Sequence, residues 1–464
     1  MNTTERKPKT SIEKKESRRG SSRAERRSVS MMLEEKAVRK EARAYKRLQG
    51  YVFNLFSKRE IAEIAKESGF QKRNEERKIP AFEFVLCCAL AATVEGKRGF
   101  ASVWRLLAAA CGIGVARSAV TQRFGSGSAA LMKQVFERAV SRLPTAAHPE
   151  LLGKLEAFQH VLADDGTVLK LKPLLEKLFP ATRTNTMAAA GKLHARADLV
   201  NRRIVHVELT GERGSEIAAS RRAPISQGAL YMADLGYTSY SYYDELETAG
   251  ADFLFRLKDN ANPKVVDVRH GVFAPKRSIG IKLNDVAFCR TQDTFDVDAE
   301  FTTDKGTAIF RVVGCFNPET DKYHCYVTTL PPETYTANEL ANLYSLRWVI
   351  ELLFKLLKSS CHLDHLNTES PDALRTHIYA SLLAATILSA MAVAAADEAG
   401  IPINRISVLT MGIAAGLMAI PLMLLWLERE LSYDELAQMI MRTIIVGCQD
   451  QNVRRSDKKW GHLR

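Results

Sequence analysis

Tyr344-Ser345-Leu346-Arg347-Trp348-Val349-Ile350-Glu351-Leu352-Leu353-Phe354-Lys355-Leu356-Leu357-Lys358 is the stretch on which the reading of this chain turns. At about 100° per residue it forms a helix with two distinct sides. Tyr344, Arg347, Glu351 and Lys358 fall within roughly 60° of one another. Leu346, Ile350, Leu353 and Leu357 line the opposite side. The apolar side packs on a core and leaves a carboxylate flanked by two cations pointing one way. A carboxylate holds a divalent metal, and Arg and Lys hold phosphate. One face offering both suits chemistry on a nucleic-acid backbone. The competing reading is a solvated face with i,i+4 ion pairs. Lys358 argues against it, because it extends the stripe instead of neutralising it.

One carboxylate does not make a metal site, and two more stand upstream. Asp165 lies in His160-Val161-Leu162-Ala163-Asp164-Asp165-Gly166-Thr167-Val168. Apolar residues lead into Asp-Asp-Gly-Thr and an alternating stretch leads out, which predicts strand, tight turn, strand. Asp234 ends the apolar strand that begins at Ala229 and is followed by Leu235-Gly236-Tyr237 and a helix over 240–249. Carboxylates at strand ends beside a helix start recur in α/β sites. The alternatives are an Asp-Gly hairpin turn for the first and a capping Asp for the second.

Taken in order, Asp165-Gly-Thr, Asp234-Leu-Gly-Tyr237 and Tyr344-x2-Arg347-x3-Glu351-x6-Lys358 resemble the DDE transposases of bacterial insertion sequences, more narrowly the IS-four type with its Y-R-E-K signature. The resemblance spans roughly residues 50–370 and includes Lys192-Leu193-His194 and Phe253 to Lys258. It implies an RNase H-like core in which Asp165, Asp234 and Glu351 hold two Mg²⁺ or Mn²⁺ ions. It implies Arg347, Lys358, Arg256 and Lys258 on DNA phosphates, and Tyr344 on the end nucleotides. The implied reaction is phosphodiester hydrolysis followed by joining of 3′-OH ends to target DNA. The implied partners are the element's terminal inverted repeats, target DNA and a second copy of the chain in a synaptic complex, in the cytoplasm at the nucleoid. Asp164 departs from the pattern and leaves two candidates for the first ligand. The position directly before Gly166 favours Asp165, so Asp164→Ala is expected to be mild. Arg347 and Lys358 are expected to serve phosphates and not Glu351, so that losing either spares stability.

Composition agrees with a polyanion partner. The chain has 464 residues, a net charge of +13 and a hydrophobic content of 46%, enough for two or three domains with real cores. Residues 1–50 hold 16 Lys and Arg against 7 Asp and Glu, so most of the excess sits there. Residues 1–47 read as a basic flexible arm, either solubilising or DNA-binding. Eight scattered Cys, none in a C-x-x-C pair, suggest reduced thiols, and no apolar h-region follows the N-terminal charges.

The chain then reads as a helical DNA-binding domain (48–150), a first part of the core (151–258), a β-rich insertion (259–335), the Y-R-E-K helix completing the core (336–370) and a helical C-terminal subdomain (371–464). The fold class is therefore α/β: an RNase H-like catalytic core with a β-rich insertion, flanked by helical subdomains. Within the first domain Ser118 is a possible cap for a short helix carrying Thr121, Gln122 and Arg123 outward to terminal-repeat DNA. The uncharged runs 379–396 and 406–427 are long enough for membrane spans. Their Ala content and Pro421 favour buried helices and no membrane. The alternative functions are a non-catalytic DNA-binding regulator of the same stock, or a membrane-associated protein.

Overall fold

A computed structural model describes residues 43–44, 46–71, 78–94, 100–109, 111–146, 154–182, 188–289 and 292–407, with isolated positions between 410 and 441. The expectations for the basic arm and for most of the apolar run 406–427 fall outside the described residues.

The N-terminal part is helical. α1 (Lys58–Glu67) starts at Ser57, whose side chain accepts from Glu60 N–H while the Glu60 carboxylate accepts from the Ser57 backbone. This reciprocal cap follows from the S-x-x-E spacing. α2 (Ala81–Val94) is buried from Ala81 to Thr93. It is followed by α3 (Phe100–Ala109), α4 (Arg117–Thr121) and α5 (Ser126–Ser141).

Nine strands form one sheet in the order β3-β2-β1-β4-β5-β9-β8-β7-β6. β1 (His160–Leu171) pairs antiparallel with β2 (Ala189–Asp198), which pairs antiparallel with β3 (Arg203–Gly211). β1, β4 (Ala229–Ala233) and β5 (Asp252–Arg256) are parallel neighbours. Between β3 and β4 runs α6 (Glu216–Arg222), and between β4 and β5 runs α7 (Tyr240–Thr248). All five residues of β4 are buried, as expected of a strand covered on both faces.

The stretch after β5 is β-rich, as its alternation suggests, but it does not leave the sheet. β6 (Lys264–His270), β7 (Thr294–Thr303), β8 (Gly306–Asn317) and β9 (Lys322–Thr328) form a meander, and β9 returns to pair antiparallel with β5. Gly314 is required in this meander: a Cβ there would come within 2.0 Å of the buried Phe295 ring.

The strand ends define a notch. β4 stops at Ala233 and β5 at Arg256. On one side β1 continues past Asp164, the partner of Ala233, for seven more residues to Leu171, with β2 alongside. On the other side β9 reaches back past Tyr326, the partner of Arg256, to Lys322, with β8 alongside. Two short central strands thus lie between two overhanging walls.

α8 (Ala337–Tyr344), one tight turn over Ser345–Arg347 and α9 (Trp348–Ser359) follow. Val349, Ile350, Leu353, Phe354, Leu356 and Leu357 are the buried side of α9, which packs on β1 and β3. α10 (Pro371–Ala399) contains the uncharged run 379–396. It is one helix long and apolar enough to cross a membrane, and 94% of its apolar window is buried inside the protein. It packs against α2 and α5, and Ser128 Oγ lies 2.9 Å from Thr376 Oγ1 across that contact. Its hydropathy is accounted for by a central position in the helical core.

Candidate active site

The turn expected at Asp164-Asp165-Gly166 does not form. β1 runs through all three in unbroken register: Asp164 opposite Arg196, Asp165 opposite Ala195, Gly166 opposite His194. The hairpin closes later, beyond Leu171. Asp-Gly favours turns locally, but the apolar partners Leu193, Ala195 and Ala197 hold the strand extended.

Extended backbone sends neighbouring side chains to opposite faces, and this separates the two Asp residues. Asp164 is 5% exposed. Its Oδ1 and Oδ2 accept from Arg196 Nε and Nη2 at 2.7 and 2.8 Å. Arg196 also donates to the carbonyls of Pro224 and Ser220 and to the Tyr242 hydroxyl. Burial works against the Arg196 charge, but Asp164 outweighs it and raises the pKa. Asp164 is therefore structural and not a mild control. Asp164→Ala should lose about 3–5 kcal/mol by leaving a buried guanidinium unpaired, read as a drop in the denaturation midpoint. An unchanged midpoint would remove the ion pair from the account. Sequence reading missed Arg196, since nothing local distinguishes a cation bound for burial.

Asp165 faces the Y-R-E-K helix. Its Oδ1 accepts Gly166 N–H at 2.7 Å and its Oδ2 accepts Arg347 Nη1 at 3.0 Å. Arg347 Nη2 donates to Glu351 Oε1 at 2.7 Å. One guanidinium, 16% exposed, thus joins carboxylates of the strand and the helix. The expectation that Arg347 leaves Glu351 unpaired is corrected: the guanidinium pairs with both Glu351 and Asp165. A cation lodged between two carboxylates at this depth pairs with them. Burial opposes the Arg347 charge, while Tyr344, Asp165, Asp234 and Glu351 together raise its pKa.

Asp234 follows β4 directly and is exposed. It occupies the position before a short turn, Leu235–Tyr237, but its side chain caps nothing, so the capping alternative falls away. It is near enough to Asp165 for its charge to raise the Asp165 pKa. Among the described residues no three His, Cys, Asp or Glu side chains converge closely enough to enclose one ion. The Arg347 guanidinium bridges Asp165 and Glu351.

The remaining site residues divide. Lys358 is half-buried and makes no ion pair among the described residues. Tyr344 does not present its hydroxyl to solvent. It donates to the Ala233 carbonyl at 3.2 Å, and its ring lies 5.1 Å from that of Tyr326, tying the helix to the strand end beside Asp234. Arg256 lies 5.8 Å over the Tyr326 ring, and its buried Nε has no hydrogen-bond partner among the described residues. Lys258 is exposed just beyond β5. With Lys322, Phe288 and Tyr323 it lines a cavity of about 360 Å³ whose lining includes none of the three carboxylates. Arg123 is not outward. It donates to the carbonyls of Phe70 and Ile79 at 3.2 Å each and covers the Phe70 ring at 4.1 Å. Ser118 lies inside α4, whose cap position is Ala116. Arg123 thus closes the helical domain on itself because three backbone and ring partners surround it. Lys192 pairs with Glu216 at 3.0 Å, and that carboxylate lies against Gly236, where a Cβ would come within 1.9 Å of it. Two stretches far apart in sequence thus meet behind Asp234. His194 Nε2 lies 2.9 Å from Thr210 Oγ1.

These contacts define an α/β protein with an acidic site at the open end of a mixed sheet, its carboxylates drawn from two adjacent strands and one helix. The chain belongs to the transposase DDE domain family, whose sequence profile matches residues 156–387. It is similar to the transposase for insertion sequence element IS231C of Bacillus thuringiensis subsp. berliner, at 22% identity over 365 residues, 71% of this chain and 76% of that one. It is also similar to that of IS231F of Bacillus thuringiensis subsp. israelensis, at 23% over 381 residues, 74% and 78% of the two chains. A shorter stretch of 78 residues is 42% identical to the putative transposase InsL for IS186A of Escherichia coli (strain K12), covering 17% and 21%. Among solved structures, the piggyBac transposase synaptic complex with hairpin DNA aligns at a TM-score of 0.44 and 10% identity, over 89% of this chain and 84% of that one.

Electrostatics of the site give two expectations. Burial, the largest cause, and the charges of Glu351 and Asp234 push Asp165 up to about 6, against the opposing pull of Gly166 N–H and Arg347. An unfolded carboxyl titrates near 4, at about 3.9. The folded chain therefore holds a proton through this window that the unfolded chain releases. The group favours folding below about pH 4, and that contribution is lost as pH rises through 6. In a chelator, Asp165→Asn should be about 2–3 kcal/mol more stable than the parent at pH 8, with the difference closing by pH 4. A constant difference across this range would contradict the assignment. Arg347→Ala leaves two facing carboxylates without their shared cation. It should lose about 2–4 kcal/mol in chelator and recover part of its melting temperature in millimolar Mg²⁺. A variant that melts with the parent would return Arg347 to solvent.

Proposed function

We propose that this chain is an insertion-sequence transposase of the IS-four type, which binds element-end DNA, cleaves phosphodiester bonds and joins the 3′-OH ends to target DNA. The observation that carries the reading is the convergence of Asp165 and Glu351 on one guanidinium beside the strand-end Asp234. The strand order β3-β2-β1-β4-β5, antiparallel then parallel, supports the RNase H-like reading of the core.

Asp165, Asp234 and Glu351 would hold Mg²⁺ or Mn²⁺. The donor set fits: all are hard oxygens, and Asp165, raised chiefly by burial, also feels the charges of Glu351 and Asp234. Two such ions, when bound, supply Lewis acidity to the attacking water or 3′-OH and to the leaving oxygen. The rest falls to the chain. Arg347, released from the carboxylates, holds phosphate oxygens in its planar fork. Lys358, Lys258 and Arg256 line the way to the notch as further phosphate contacts. Tyr344 holds the end of β4, and with it Asp234, against the helix. The overhanging walls limit the approach of water and guide one strand to the floor. The reading places the protein with DNA in the cytoplasm, as a homodimer when two element ends are paired.

The test is cleavage of duplexes carrying the DNA that flanks the gene, in Mg²⁺. Asp165→Ala, Asp234→Ala and Glu351→Ala should each lower cleavage by at least about a thousandfold, since such groups act as one unit. Each should still bind the ends. Near-parental cleavage by any one of them would remove that residue from the site, and retention by all three would overturn the reading.

A further inference from the structure

The wall formed by β1 and β2 ends in a tip that the site does not use. After Leu171 the chain turns through Pro173–Leu175, with Leu175 N–H on the Lys172 carbonyl and Phe179 N–H on the Leu175 carbonyl, both at 2.9 Å. Leu175 and Phe179 are buried and anchor the tip, and Ala190 N–H closes it on the Phe179 carbonyl at 2.9 Å. Leu174 and Leu178 point the other way, 71% and 56% exposed. Single exposed leucines need no explanation. Two of them four residues apart, on an anchored tip overhanging an acidic notch, form a built feature. Their rim is basic among the described residues: Lys170, Lys172 and Lys177 are exposed beside Glu176, and of the neighbouring pair Glu212 accepts from Thr182 N–H while Arg213 donates to the Ala181 carbonyl.

We infer that Leu174 and Leu178 are an apolar wedge that enters duplex DNA beside the cleaved bond, with the three lysines holding the flanking phosphates. The inference rests on the transposase reading and adds a second DNA contact to it. Apolar side chains framed by cations are what partial unstacking of a base step requires. A second copy of the chain fits less well, because two such tips of net positive charge repel. Leu171 lies six residues beyond Asp165, about 20 Å at the rise of a strand. DNA rises about 3.4 Å per base pair, so the contact falls about six base pairs from the scissile phosphate.

The test uses full-length chain, its Leu174→Ser/Leu178→Ser variant and its Lys170→Ala/Lys172→Ala/Lys177→Ala variant. The probes are gene-flanking and mixed-sequence duplexes carrying 2-aminopurine at successive positions from the cleaved bond. Both leucines are exposed, so the first variant should melt with the parent, and circular dichroism checks this. With the parent, fluorescence should rise about six base pairs from the bond, reporting unstacking. The leucine variant should lose that rise and bind roughly tenfold more weakly. The lysine variant should bind more weakly with a shallower dependence on salt. Parental fluorescence and affinity in the leucine variant would overturn the wedge, as would a variant altered only in sedimentation, which would make the tip a contact between copies. If the parent binds and unstacks DNA without cleaving it, the cleavage reading falls and the wedge stands. If the parent binds neither duplex, both fall.

Discussion

Two carboxylates far apart in the chain share one guanidinium, and the arrangement of the helix against the sheet follows from that contact. Asp165 and Arg347 are 182 residues apart and meet at 3.0 Å. Arg347 reaches Glu351 one helical turn on, at 2.7 Å. For both bonds to form, α9 must lie across β1 at the level where β4 ends. That placement sets the apolar side of α9 on the sheet and leaves Glu351 and Lys358 half-buried on its other side. Without a cation between them, carboxylates brought this close would repel in a partly desolvated space.

The shape of the site follows from unequal strand lengths. β4 and β5 have five residues each, whereas β1 and β8 have twelve. The short strands are buried by helices on both faces, and the long ones outrun that cover. Strand ends at Asp234 and Arg256 therefore open into a cleft instead of into bulk solvent. The β-rich stretch after β5 contributes to this cleft because β9 rejoins the core sheet. It is one wall of the site as well as an insertion in sequence.

Much of this was legible in the sequence where a period could be read. The 3.6-residue pattern gave the buried and polar sides of Trp348 to Lys358, although Tyr344 ends the preceding helix and Ser345–Arg347 form a tight turn between the two, and Ala229 to Asp234 read as a strand ending in a carboxylate. The uncharged run 379–396 was legible as apolar, but its burial between α2 and α5 depends on partners distant in sequence. The turn at Asp165-Gly166 was misread because a dipeptide preference is weak beside ten residues of pairing with β2. Asp164 and Asp165 could not be told apart until the register was known, since one step along a strand reverses the face. Arg123, Arg196 and Arg347 were misjudged or missed for one reason: a charge in sequence does not say whether its partner is solvent, phosphate or a buried group elsewhere in the chain. The tip leucines were passed over for the same cause, because exposure is a property of the fold.

On the proposed function the notch carboxylates would hold a cation, and Arg347 would balance their charge when no ion is bound. Anomalous diffraction from crystals soaked in Mn²⁺ tests it most directly. Mn²⁺ density is expected bounded by Asp165, Asp234 and Glu351, with the Arg347 guanidinium moved off Asp165. Mn²⁺ bound elsewhere, with the Asp165–Arg347–Glu351 bridge intact, would contradict it.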